Sequence, residues 1–163
     1  MTALQPIEQR LCKRLADIFS ALLPGVKTGG NWLPEAGGLI KGPAAPDRGE
    51  RFEVSVHPRG YDGHTSALAN FRVALEYGAD AAFDPGLTRS VAAFSAIVAK
   101  LERWQDSIAA VKEDLTLEDF TPAGLHLEPG EWTVDADDGA RRYEHGFTLR
   151  GRVSAPEDGE ETI

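Results

Sequence analysis

RRYEHGFTLRGRV, residues 141–153, alternates between apolar and polar side chains over its full length. Tyr143, His145, Phe147, Leu149 and Val153 fall on one side, and Arg142, Glu144, Thr148, Arg150 and Arg152 on the other. Successive strand residues point to opposite faces, so this pattern predicts a strand with one face buried and the other in water. Just upstream, Asp137-Asp138-Gly139 is a strong turn signal. Before the turn, Leu125 and Leu127 alternate with His126 and Glu128, Pro129-Gly130 interrupts, and Trp132 and Val134 resume the pattern. The closing third of the chain therefore reads as a pair of strands. Two more strands are expected nearer the N-terminus. Phe52, Val54 and Val56 alternate with Arg51, Glu53, Ser55 and His57, and a second run over about 69–78 places Phe71, Val73, Leu75 and Tyr77 inward. The turn residues Pro58 to His64 lie between them.

Helical spacing brackets these strands. Leu4, Ile7, Leu11, Leu15, Ile18 and Leu22 recur at three- and four-residue steps, predicting an amphipathic helix over about 3–23 that Pro24-Gly25 ends. Asp84-Pro85 offers a capping carboxylate and a proline for the first turn of a second helix, with Thr88 as an alternative cap. That helix is expected to run to about Lys112 or Leu115. Val91, Phe94, Val98, Leu101, Ile108 and Val111 mark its face, with Ile97 and Trp104 at the edges. Residues 25–50 hold seven glycines and three prolines without a period, and read as a long loop, either an Ω-like loop pinned by Trp32 or one that orders against a partner. Residues 154–163, SAPEDGEETI, form an acidic tail of the kind that stays disordered.

The element order is helix, strand, strand, helix, strand, strand. The expected fold is α+β: a two-layer, mainly antiparallel four-stranded sheet with two helices packed on one face. A length of 163 residues suits one domain, here 1–153, followed by the tail 154–163. The net charge is −9, which argues against broad nucleic-acid binding through clustered cations. The single Cys12 excludes an internal disulfide and reads as a buried, inert thiol. Glu8, Arg10, Lys13, Arg14 and Asp17 interrupt every apolar stretch near the N-terminus, so no leader or membrane span is expected, and a cytoplasm-like compartment is.

Chemistry-bearing patterns are sparse. His57, His64, His126 and His145 have no zinc-type spacing, and no metal or cofactor is expected. Asp62-Gly63-His64 reads as a turn, and His145 as a satisfied core histidine. His57 and His126 read as outward strand residues. Glu128, Glu131, Asp135, Asp137 and Asp138 cluster near the turns but miss the calcium-loop pattern, which leaves a solvated acidic turn. No catalytic or phosphate-cradling motif is present. The best basic patch is Arg142, Arg150 and Arg152 on the outward side of the last strand, joined by Arg72 and Arg51 from other strands. Glu53, Glu76 and Glu144 interleave with them. One reading is a salted, solvent-facing sheet. The other is self-association, a face of mixed sign meeting an acidic surface on a neighbouring copy.

The arrangement resembles the tail terminator, or tail completion, proteins of tailed bacteriophages. The resemblance covers about residues 3–153. It rests on the closing strand with Tyr143, Phe147, Leu149 and Val153 and on the second strand, Asn70-Phe71-Arg72-Val73-Ala74-Leu75-Glu76-Tyr77. It implies a virion protein without catalysis or cofactor. Such a protein forms a ring, usually a homohexamer, made in the host cytoplasm and built into the virion. It caps the head-proximal end of the tail tube and joins the head, so its partners are itself, the tube protein and the head–neck connector. A pore lined by carboxylates would repel a DNA backbone. Trp32, Arg72, Arg142, Arg150 and Arg152 are the candidate subunit-interface residues. The alternatives are another neck or head-completion protein, or a ferredoxin-like ligand-binding domain or enzyme with a pocket around Tyr61, Asp62 and His64.

Overall fold

Helices cover one face of a mixed sheet in the computed structural model, which describes residues 7–23, 26–30, 49–61 and 68–154. In chain order the described elements are α1 (Ile7–Leu22), β1 (Lys27–Gly30), β2 (Glu50–Tyr61), β3 (Leu68–Ala79), α2 (Thr88–Asp106), α3 (Ile108–Leu115), β4 (Phe120–Leu127), β5 (Glu131–Val134) and β6 (Arg141–Val153). The sheet runs β1-β2-β3-β6-β4, with β5 also paired to β6. β1 lies parallel to β2, and every other pairing is antiparallel. The α+β class holds. The expected four strands and two helices are corrected to six strands and three helices, for three separate reasons.

First, Lys27-Thr28-Gly29-Gly30 pairs with Arg51 to Val54 through its backbone. Backbone pairing leaves no alternation to read. Second, the long helix breaks at Ser107, whose backbone is extended at φ −144° and ψ 110°. Its N–H donates to the Arg103 carbonyl at 3.1 Å, closing α2, and its Oγ accepts the Ala110 N–H at 3.2 Å, opening α3. The buried face of α2 is Ala93, Ile97, Leu101 and Trp104, while Val91 and, beyond the break, Ile108, both expected on the core face, are 48% and 42% exposed. Third, β4 and β5 lie end to end along β6. Leu127 faces Phe147 and Glu131 faces Glu144, so residues 128–130 oppose only 145–146. The surplus residue makes a bulge at Pro129-Gly130, and a second irregularity falls between Pro122 and Gly124.

Asp84 caps α2 from a distance. The helix starts at Thr88, after Leu87 in a left-handed conformation at φ 64°. The Asp84 carboxylate still accepts from Arg89 N at 3.0 Å, Ser90 N at 2.8 Å and Ser90 Oγ at 2.5 Å. Nearby, Glu50 accepts from Tyr77 Oη at 2.5 Å and from Arg89 at 2.6 Å, pinning the start of the helix to β2 and β3.

The core sits between the helices and the covered sheet face. From α1 come Leu11, Cys12, Leu15, Ala16 and Phe19, and from the sheet come Phe52, Val54, Val56, Phe71, Val73, Leu75, Tyr77, Phe147 and Leu149. Cys12 is buried as expected, its Sγ 3.2 Å from the Val54 carbonyl. Trp104 stacks on Phe147 at 6.1 Å and meets Phe19 edge-on at 5.9 Å. Arg10 of α1 forms a two-pronged bridge to Asp119, at 2.7 and 2.9 Å.

Candidate functional site

Among the described residues the helices leave the other sheet face open, and cross-strand register arranges its charges in rows. Arg51, Gly78, Arg142 and Thr133 form one row. The next row is Glu53, Glu76, Glu144 and Glu131, four carboxylates side by side on four strands. Then come the small residues Ser55, Ala74 and Gly146, followed by His57, Arg72, Thr148 and His126. Arg150 and Arg152 lie beyond, on the same face of β6.

Like charges placed directly opposite each other across strands are destabilising. Arg142 offsets this in the middle of the carboxylate row, binding Glu76 at 2.6 Å and Glu144 at 2.7 Å. Glu53 and Glu131, at the row's ends, have no ion-pair partner among the described residues. Arg72 donates to Glu128 at 2.8 Å and to the Val73 carbonyl at 2.6 Å. Its guanidinium lies over Gly146, and the Arg51 guanidinium lies over Gly78. The result is a face with small residues at its centre and a hollow of about 300 Å3 beside Ala74 and Gly146.

Two glycines of β6 separate face from core. A Cβ on Gly146 would meet only the mobile end of Arg72, whereas one on Gly151 would lie 2.5 Å from the Thr121 carbonyl oxygen and 2.5 Å from Phe120 Cζ. Gly146→Ala is therefore expected to cost less than about 1 kcal/mol, the worth of an exposed ion pair. Gly151→Ala is expected to cost about 1–3 kcal/mol through overpacking. Urea titration of both variants checks the ranking.

A second concavity lies on the helix side, a cleft of about 620 Å3 between the C-terminal half of α2 and the Pro129-Gly130 bulge. Val98, Leu101, Leu127 and Pro129 are its apolar lining, and Glu102, Gln105, Asp106, Glu128 and His145 supply its polar groups. His145 does fall on the covered side of β6, but it is half-buried rather than a satisfied core residue. Its Nδ1 hydrogen-bonds the Tyr143 hydroxyl, and its buried Nε2 has no hydrogen-bond partner among the described residues. Burial pushes the imidazole below its usual range, partly opposed by the Glu128 carbonyl and carboxylate. Burial, helped by the Glu102 charge, raises the Tyr143 hydroxyl to about 12.

The sequence-stretch candidates divide cleanly. Arg51, Arg72, Arg142, Arg150 and Arg152 all project from the open face. Trp32 and the Asp62-His64 turn lie outside the described residues, as do most of the glycine-rich loop and residues 155–163 of the tail. His57 and His126 are exposed, as expected of outward strand residues. Asp135 accepts from the N–H groups of Asp137 and Asp138 at 2.7 and 3.2 Å, so this carboxylate organises its own turn. Among the described residues, no three His, Cys, Asp or Glu side chains are placed to share a metal ion, and no helix is long and apolar enough to cross a membrane. The carboxylate row and the Glu102–Asp106 cleft were not anticipated. The first depends on strand register and the second on the placement of α2, and neither leaves a local motif.

Comparison with family models finds none that matches, and comparison with curated proteins finds no match either. A solved structure of the virion of a native gene transfer agent particle contains a similar chain, with a TM-score of 0.52 and 17% sequence identity over 88% of this chain and 92% of that one. At that identity the likeness is one of fold, and it spans nearly the whole of both chains: this chain has the architecture of a chain found in a virion particle.

Proposed function

We propose that the protein is a structural subunit of a phage-like virion, a tail terminator that caps the head-proximal end of the tail tube as a homo-oligomeric ring and joins it to the head. The observation that carries this reading is the fold shared with a virion chain along almost its full length. The open face supports it. A sheet surface that pairs its own charges incompletely, around a centre of small residues, is suited to meeting another protein surface. In this reading the chain performs no catalysis and holds no cofactor. Its partners are further copies of itself, the tube protein and the head-side connector, and it resides in the virion after assembly in the host cytoplasm.

The test is solution mass by light scattering, followed by negative-stain imaging of the chain mixed with tail tubes. Six copies of 17.6 kDa would give a ring of 105.6 kDa. Rings in solution, or a cap at one end of the tube, are expected. A chain that stays monomeric and leaves both tube ends bare overturns the reading.

A further inference from the structure

Glu102 and Asp106 break two local rules of helix chemistry. Asp106 is the last residue of α2, where the helix presents its negative end and a carboxylate is unfavourable. Glu102 lies four residues earlier on the same side, and like charges at that spacing repel. Both are exposed, and neither has an ion-pair partner among the described residues. They border the cleft of about 620 Å3, and the described residues that line it include no lysine or arginine. Its third carboxylate, Glu128, is held by Arg72. The buried Nε2 of His145, also in the lining, lacks a hydrogen-bond partner among the described residues. The fold alone thus leaves unmatched negative charge at the rim and an unmatched polar atom behind it, beside apolar walls from Val98, Leu127 and Pro129.

We propose that this cleft docks an arginine side chain of a basic partner protein, with its stem along Val98, Leu127 and Pro129 and its guanidinium between Glu102 and Asp106. An arginine stem covers apolar surface while its head stays among polar groups, and the planar head carries five donors, enough for two carboxylates. A cation placed there offsets both the repulsion between the carboxylates and the negative end of α2. Charge also decides between a different protein and a second copy. The chain carries a net −9, so the opposite potential belongs to a basic protein. Two arginines at the centre of this chain's own open face are already committed, Arg72 to Glu128 and Arg142 to Glu76 and Glu144. A pair of residues that breaks local helix rules is expected where a binding site is built at the expense of the free fold. Docking here does not require the ring, and the cleft is complete within one copy.

The test uses the full-length chain, its Glu102→Gln with Asp106→Asn variant, and two capped tripeptides, Leu-Arg-Leu and the neutral control Leu-Gln-Leu. Nuclear magnetic resonance titration is expected to show the arginine peptide shifting the His145 ring signals, with a dissociation constant below about 1 mM. The control peptide should leave those signals in place, and the variant should bind the arginine peptide at least about tenfold more weakly. Without any peptide, the variant is expected to melt about 1–4 °C above the wild type, because the clash at the end of α2 is gone. That rise also shows that the variant folds. Equal binding of the two peptides, equal binding by the variant, no binding at all, or a melting temperature that does not rise each overturns the proposal. If the wild type forms rings and the variant does not, a second copy occupies the cleft and the basic partner is wrong. None of these peptide results bears on whether the chain caps tail tubes, which light scattering and imaging decide separately.

Discussion

Trp104→Ala is expected to lower the free energy of unfolding by about 3–5 kcal/mol, the cost of emptying a large aromatic site in a packed core. Trp104 is 1% exposed and touches three parts of the fold at once. Its ring stacks on Phe147 of the sheet and meets Phe19 of α1, and its indole N–H donates to Asp114 of α3 at 2.7 Å. Truncation would leave a cavity between all three helices' packing surfaces and remove one of the two side-chain donors to Asp114, leaving Lys100 at 2.9 Å. Trp104→Phe keeps most of the ring contact and loses the donor, so about 1–3 kcal/mol is expected for it. Urea unfolding followed by far-ultraviolet circular dichroism measures both. A loss below 1 kcal/mol for the alanine variant would mean that the helices do not meet at this residue.

Acid is expected to remove stability on the order of 5 kcal/mol through three carboxylates, if each forms charge-assisted hydrogen bonds of ordinary strength. Burial pushes Asp84 up, but the Ser90 hydroxyl, the Ser90 and Arg89 N–H groups and the Arg141 charge outweigh it and hold the carboxyl below its usual range. Burial likewise raises Asp114, and Lys100 and Trp104 overcome it. For Asp119 the Arg10 guanidinium is the leading influence, and it too lowers the carboxyl. A depressed folded value means that the folded state holds its proton less tightly than the unfolded chain does. The stabilisation is therefore complete above the unfolded carboxylate value near ~3.9 and drains away as pH falls through the folded values. Thermal unfolding between pH 7 and pH 2 should show this fall. Asp119→Asn should flatten part of it by removing the Arg10 bridge. A melting temperature unchanged down to pH 2 would rule out these carboxylates as supports of the fold.

The strands with one wet face were legible because their pattern is local. The alternation of Phe52, Val54 and Val56, and of Tyr143, Phe147 and Leu149, records burial on one side, and those side chains are indeed in the core. Three things were hidden because they are made by long-range contact. β1 is held by its backbone and displays no pattern. Ser107 looks like one more polar residue in an amphipathic run until its hydroxyl is seen capping α3. Phe19, central to the core, stood outside the periodic stripe read from α1, because the sheet meets that helix along Leu11, Cys12, Leu15, Ala16 and Phe19. The arginines of the open face could be assigned to one side of the sheet from their parity alone. Which carboxylates faced one another across strands could not be assigned that way, since it follows from the register of four separate strands.

The irregular line of β4 and β5 has a consequence for how the protein behaves when it is abundant. Its line contains Pro122 and Pro129, neither of which has an N–H to offer, and its pairing with β6 slips at both positions. A stray chain seeking to dock there finds no unbroken row of donors, so this margin is a poor template for an added strand.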